Sequence, residues 1–126
     1  PAHHASLTDL ALPCCVLSVD GAAALGPLLV RLTRLDLAHS GSGEAALEKL
    51  LPRHGVGCGA NLRHLVLRGC SGATDQVLAG YWPRATQLLS LDVSQCRHLS
   101  DATAVVLASS WSGRAASRRP SLRRLD

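Results

Sequence analysis

Phenylalanine, methionine and isoleucine are absent from this sequence of 126 residues, and aromatic residues make up only 2% of it. A hydrophobic core that rests on large aromatic side chains is therefore excluded. The apolar fraction is still 47%, with 24 leucines, 18 alanines and 9 valines, which is too high for a disordered chain. We therefore expect a folded chain whose core stacks many leucine side chains in regular layers.

Long apolar runs are absent too, because Gly26 and Pro27 interrupt the longest one, residues 22–30. No segment reaches the roughly 18 apolar residues that a transmembrane helix needs, and no signal-like segment follows a basic start. The five cysteines are odd in number and unevenly spaced, which argues against a disulfide framework. We expect no membrane insertion and a reducing, intracellular compartment. The cytoplasm, the cytoskeleton and the mitochondrion stay open as alternatives.

Positive charge is concentrated at the end of the sequence. Residues 114–126 account for the whole net charge of +4, because they contain five arginines and one aspartate. Such a segment can neutralise phosphates or pair with an acidic protein, although no aromatic residue is interleaved for base stacking. The alternative is a solvated loop followed by exposed strand positions. The candidate contacts for an anionic partner are Arg114, Arg118, Arg119, Arg123 and Arg124.

A leucine pattern organises the chain. The unit Leu-x-x-Leu-x-Leu-x-x-Cys recurs four times, with Val93 replacing the third leucine once and Ser40 replacing the cysteine once. Successive units start 25 to 34 residues apart, and a fifth is cut short by the chain end. The units start at Leu7, Leu32, Leu62, Leu88 and Leu122.

An acidic residue follows the cysteine or serine of each complete unit by four or five positions: Asp20, Glu44, Asp75 and Asp101. Acidic side chains favour helix starts, because they accept hydrogen bonds from free backbone N–H groups and suit the positive end of the helix dipole. The sequence therefore predicts helical stretches at residues 44–51, 75–81 and 101–109. Pro52 and Pro83 are expected to end the first two.

Each unit therefore predicts one strand followed by one helix. The Leu-x-Leu segment alternates between inward and outward positions, as a strand does, and the helix returns the chain to the next strand. A single unit cannot bury its apolar side alone, so the units must stack. We expect an α/β solenoid of about five units over residues 1–126. Short parallel strands would form its concave face and helices its convex face. Because no polar capping unit is present, we expect either a piece of a longer array or ends that neighbouring subunits cap.

The repeating unit resembles the cysteine-containing leucine-rich repeat, and the resemblance covers roughly residues 6–126. Cys15, Cys70 and Cys96 match the family's cysteine position, whereas Ser40 departs from it. The resemblance implies a leucine-rich-repeat solenoid that binds other proteins. Repeats like these occur in F-box ubiquitin-ligase receptors, where they hold the substrate, and as scaffolding in large ciliary or mitochondrial assemblies. No residues of this sequence match an F-box.

The sequence contains little that indicates catalysis, a bound cofactor or a metal site. His3, His4, Cys14 and Cys15 could be metal ligands by type, as could His54 and Cys58, but no two pairs have the short spacing of structural zinc sites. The glycine-rich residues 55–59 precede a strand instead of a helix, which is the wrong order for a dinucleotide loop. No nucleophile elbow or zinc-protease motif occurs. We expect no enzyme, no cofactor and no metal, with Cys15, Cys70 and Cys96 as structural residues.

The outward positions of the predicted strands are the best candidate partner surface. They are mixed and polar, which suits recognition of a protein, although they could also be merely solvated. The candidates are Arg34, Asp36, His39, His64, Arg68, Asp92 and Gln95. The preferred hypothesis is a structural subunit of a large assembly. The alternatives are substrate-recognition repeats of an F-box-type receptor and a ribonucleoprotein adaptor that uses the arginine-rich segment.

Overall fold

The computed structural model describes residues 8–59, 61–101, 103 and 121–123, the last three by their backbone. Within these residues the fold is mixed α/β, with three fully described helices and a parallel sheet, as the sequence predicts at that level. A 3-10 turn, Trp82–Arg84, follows the third helix directly. In chain order the elements are β1 (Asp9–Ala11), α1 (Val19–Leu29), β2 (Arg34–Asp36), α2 (Glu44–Leu50), β3 (His64–Val66), α3 (Asp75–Tyr81), β4 (Ser90–Asp92) and β5 (Ser121–Arg123).

Strand order in the sheet follows chain order. Each strand pairs in parallel with the next, and the second leucines of successive units, Leu10, Leu35, Leu65 and Leu91, stand in register. Helices α1, α2 and α3 each lie between two consecutive strands. Such crossovers are what parallel pairing of neighbouring strands requires. Every complete unit therefore contributes the same strand position to one sheet.

The core consists of leucine layers. Among the units in β2 to β4, the first, second and third leucine positions are all buried, with Val93 filling the last of them. The helices add Leu29, Leu47 and Leu78 from the other side. Tyr81 and Trp82 are buried beside them. Layered aliphatic packing thus replaces the missing aromatic core.

The helices begin where the acidic residues predict. Asp20, Glu44 and Asp75 lie in the first turns of α1, α2 and α3, and Ser18 and Thr74 cap α1 and α3 through Gly21 N and Val77 N. Helix α2 ends at Leu50, one residue earlier than expected. Of residues 101–109, the structure describes only Asp101 and Thr103, both helical. None of the helices within the described residues is both long and apolar enough to cross a membrane.

Helix α1 runs through Pro27, although Gly26 and Pro27 looked like an interruption in the sequence. Proline lacks an N–H, so it removes one intrahelical hydrogen bond. Pro27 lies in the last turn of α1, where only two helical residues follow it. Gly26 is buried, and a Cβ there would lie 3.3 Å from Val56 Cγ1, so the helix packs closely at this point.

Strand β5 differs from the expected register. The spacing of the units equates Leu122 with Leu88, but the structure pairs Leu122 with Leu91, three residues further along the unit. The fifth unit therefore starts near residue 119, not at Leu122. The shortened unit contains only two leucines, three residues apart. Without the third leucine, nothing in the pattern fixes which of the two takes the central strand position.

Candidate functional site

Parallel register aligns the outward residues of the strands into two columns. The first contains Asp9, Arg34, His64 and Ser90, and the second Ala11, Asp36, Val66 and Asp92. All are exposed or half-buried, whereas Leu35, Leu65 and Leu91 between them are buried. We call these two columns the sheet face. The sequence-predicted residues Arg34, Asp36, His64 and Asp92 all lie on it.

Two acidic residues of the sheet face also accept hydrogen bonds from the turns that follow their strands. Asp36 Oδ1 accepts a hydrogen bond of 2.9 Å from Ala38 N. Asp92 Oδ1 accepts bonds of 3.0 Å from Ser94 N and 2.6 Å from the Ser94 hydroxyl. The same carboxylates that the alternation predicts as partner contacts therefore order the chain after each strand. The sequence reasoning assigned them only the first role.

His64 and Ser90 form a polar pair in the middle of the face. His64 Nδ1 lies 2.7 Å from Ser90 Oγ, across β3 and β4. Hydrolysis by a serine–histidine pair also needs a group that orients the histidine and donors that stabilise an oxyanion. Asp36 and Asp92 each accept turn hydrogen bonds on Oδ1, and within the described residues no hydrogen bond joins either carboxylate to His64. The pair links β3 and β4 on the sheet face.

Beyond each strand, the residue before the cysteine position has a left-handed backbone. Its φ is 62° at Cys14, 58° at His39, 68° at Gly69 and 59° at Gln95. Only one of the four is glycine, although such a conformation costs other residues about 1–2 kcal/mol. The N–H groups of Cys14, His39 and Gly69 donate to carbonyls of the next unit, so the ladder continues past the strands. The structure places His39 and Gln95 in these turns, and Arg68 one residue earlier.

A depression of about 540 Å³ lies at this end of the sheet, and we call it the strand-end depression. The His39 imidazole lies against Gly69 at its edge, since a Cβ on residue 69 would lie 2.5 Å from His39 Nδ1. The sequence reasoning missed Ser71, Arg97 and His98. Their only signal was polar character one or two residues after the repeat cysteine. The lining residues are His39, Gly69, Cys70, Ser71, Gln95, Arg97 and His98.

The repeat cysteines bond to the preceding unit. The Cys70 thiol donates to the Leu37 carbonyl over 2.8 Å, and the Cys96 thiol donates to the Leu67 carbonyl over 2.9 Å. Burial raises the pKa of Cys70 to about 12 and also raises the pKa of Cys96, so both keep the proton that they donate. Cys15 is half-buried. Within the described residues, no group of three or more histidine, cysteine or acidic side chains could hold a metal ion; His3 and His4 lie outside them.

Ser40, which stands at the cysteine position of the second unit, makes a different hydrogen bond. Its hydroxyl donates to the Cys15 carbonyl over 2.7 Å and lies 2.8 Å from the Ser42 hydroxyl. Ser42 Oγ in turn accepts a bond of 2.7 Å from Leu17 N. Both serines are buried, so this chain of bonds ties the second unit to the loop of the first.

The predicted anionic-partner contacts fall mostly outside the described residues. This applies to Arg114, Arg118, Arg119 and Arg124. Arg123 is the last residue of β5, where the register pairs it with Asp92. Its strand therefore extends the second column of the sheet face by one residue.

Comparison with protein-family models, with curated proteins and with solved structures finds no match to this chain. Its class is therefore defined by the fold alone, a mixed α/β chain with an ordered parallel sheet.

Proposed function

We propose that this chain is a leucine-rich-repeat solenoid that serves as a non-catalytic protein-interaction module, a structural subunit of a large assembly. The observation that carries the proposal is the sheet face itself. Its polar residues stand in register over buried leucine layers, so a rigid, ordered polar surface is presented on one side.

Repeated bonds between units support the solenoid. The thiol-to-carbonyl bond from Cys70 to Leu37 recurs from Cys96 to Leu67. Similar bonds join the helix starts, since the Thr74 hydroxyl donates to Glu44 and the Ser100 amide to Asp75. Bonds that recur in equivalent places are what a stack of like units requires.

The size of the sheet face supports membership of a large assembly. Five strands at about 4.8 Å spacing span about 19 Å. A standard protein interface buries about 800 Å² per partner, which corresponds to a patch about 28 Å on a side. The sheet face alone is smaller than that, so further surfaces of the assembly would share the binding.

Substrate recognition within an F-box-type ubiquitin-ligase receptor is the second candidate, because the repeat pattern resembles theirs and the same face would be used. The two roles differ in stoichiometry. A structural subunit has a fixed set of partners in constant ratio, whereas a receptor has several substrates in low and varying amounts.

Charge reversal on the sheet side tests the proposal. The full-length protein would carry Arg34→Glu, on the sheet face, with Arg68→Glu, two residues after β3. Both arginines are exposed, and we call the sheet face together with the residues that directly follow its strands the sheet side. The control would carry Arg31→Glu with Lys49→Glu, two exposed residues that follow α1 or lie in α2 and undergo the same change of charge. Quantitative mass spectrometry of the purified complexes gives partner ratios, and circular dichroism checks that both variants fold.

We expect the sheet-side variant to lose partners held in constant ratio at least tenfold and the control to keep them. Equal retention by both variants, or loss in the control alone, would overturn the proposal. Loss of many substoichiometric partners together with a ligase adaptor would favour the receptor role instead.

A further inference from the structure

We propose that the strand-end depression binds an anionic group, a carboxylate or a phosphate, carried by an extended peptide segment of the partner protein. This inference rests on the proposed function, because it names the chemistry of the partner at one end of the same surface. It is carried by the shape, the lining and the location of the depression.

The shape is set by three turns with equivalent backbones. His39, Gly69 and Gln95 occupy equivalent left-handed turn positions in successive units, and only the middle one lacks a side chain. These turns are joined by hydrogen bonds, because Gly69 N donates to Ser94 O over 2.9 Å and His39 N donates to Arg68 O over 2.6 Å. The His39 ring lies against Gly69, so the bonded turns hold the polar side chains that line the depression.

The lining favours an anion. It combines the Arg97 guanidinium, the imidazoles of His39 and His98, and the neutral donors of Ser71 and Gln95. None of the residues that line the depression is Asp or Glu. Asp36 and Asp92, the acids on the nearby sheet face, accept hydrogen bonds from their own turns. Donors without a competing carboxylate are the arrangement that binds carboxylate and phosphate oxygens.

The size and the location favour a peptide. About 540 Å³ is far more than a single anion fills. The depression lies next to the sheet face, because His39 and Gln95 follow the last residues of β2 and β4 by three positions. A partner segment that crosses the sheet face would therefore place one anionic side chain between these residues.

A titration with three matched peptides tests the inference. The peptides have the sequence Ala-Ala-X-Ala-Ala, with phosphoserine, glutamate or glutamine at X, at constant ionic strength. The readout is the set of amide shifts of Gly69, Ser71, Gln95 and His98 in ¹H–¹⁵N spectra of the full chain. We expect saturable shifts with phosphoserine, glutamate or both, and none with glutamine. The two anionic arms identify the preferred source of the charge.

The variant Arg97→Gln with His98→Gln should weaken the binding at least tenfold, and Arg31→Gln should leave it unchanged. Arg97, His98 and Arg31 are all exposed, and spectral dispersion shows whether the variants fold. The inference is overturned if neither anionic peptide gives saturable shifts, if glutamine binds equally, or if the double variant binds as tightly as the parent. Suppose that the peptide titrations give one of these results while the variant Arg34→Glu with Arg68→Glu still loses its partners. The proposed function then stands, and the anionic site does not.

Discussion

The imidazole of His39 lies in the space where residue 69 would carry a side chain, since a Cβ on Gly69 would come within 2.5 Å of His39 Nδ1. Both residues have left-handed backbones, with φ of 58° and 68°. His39 therefore has a strained backbone as well as a side chain. Gly69 adopts the same backbone without strain and has no side chain. Both residues line the strand-end depression, and their relationship predicts opposite effects of substitution at equivalent positions.

Replacing Gly69 with alanine should destabilise the fold by about 1–2 kcal/mol from the backbone conformation alone, with the contact to His39 adding to it. Gln95→Gly makes the reverse change at an equivalent position with φ of 59°. It should stabilise by about 0.5–1 kcal/mol, because relief of strain exceeds the entropy cost of glycine. Urea unfolding of both variants measures the difference.

Adding His39→Ala to Gly69→Ala separates the two causes. Steric relief should recover part of the lost free energy, and the backbone cost should persist. Equal stability of Gly69→Ala and the parent would show that the left-handed turn does not exist in solution.

The buried serines predict a second effect. Ser42→Ala should cost about 1–3 kcal/mol, because it leaves Leu17 N without its acceptor and breaks the contact with Ser40. Ser71→Ala, at an exposed serine, should change the free energy of unfolding by less than about 0.5 kcal/mol. The comparison is made by denaturant titration of both variants. Similar values would contradict the hydrogen-bonded link between the first two units.

Thiol reactivity should divide the cysteines by position. With a thiol reagent at pH 8, exposed Cys14 should react first and half-buried Cys15 more slowly. Cys58, Cys70 and Cys96 are buried and should react only on unfolding. Cys14→Ser should remove the fast phase alone. A fast reaction of Cys70 or Cys96 in the folded protein would contradict their donation to carbonyls of the preceding unit.

The same thiols predict alkaline instability. Burial raises the pKa values of Cys58 and Cys70 from 9.0 to about 12, so the unfolded chain releases these protons at lower pH than the folded chain. Stability should therefore be unaffected by these groups below about pH 8 and should fall between pH 9 and 12. Burial shifts the pKa of Tyr81 in the same direction. Cys70→Ala should flatten this pH dependence, and an unchanged slope would refute the assignment.

Close approach of two loops predicts a fifth effect. A Cβ on Gly72 would lie 2.5 Å from Ser42 O and 2.6 Å from Gly43 C, and both are backbone atoms that cannot swing away. Gly72→Ala should therefore cost about 1–3 kcal/mol. Gly43→Ser is the control, since nothing lies within 4 Å of a Cβ there and serine can cap α2. Thermal unfolding should show a lower midpoint for the first variant and an equal or higher one for the second.

Much of the fold follows from local rules in the sequence. The leucine positions around Leu35, Leu65 and Leu91 are buried because strand side chains alternate, and Asp75 begins a helix because acids suit free N–H groups. The register of β5 was mispredicted because its unit lacks the third leucine. The sequence reasoning gave no bounds for α1, and Pro27 fits there because it lies in the last turn and removes only one intrahelical hydrogen bond.

The candidate site was predictable only in part. Alternation alone places Arg34 and His64 on the sheet face. The depression was not predictable, because it depends on where His39 lies relative to Gly69 in the next unit. Arg97 and His98 belong to it through that tertiary arrangement, not through the repeat pattern.

Site-specific photo-cross-linking tests the central claim, that the sheet side is the partner surface. A photoreactive amino acid would replace Arg68 in the full-length protein, and Lys49 in the matched control. The account predicts a covalent adduct with one partner in constant yield from position 68, lost on adding Arg34→Glu, and no such adduct from position 49. Adducts from position 49 with none from position 68 would contradict it.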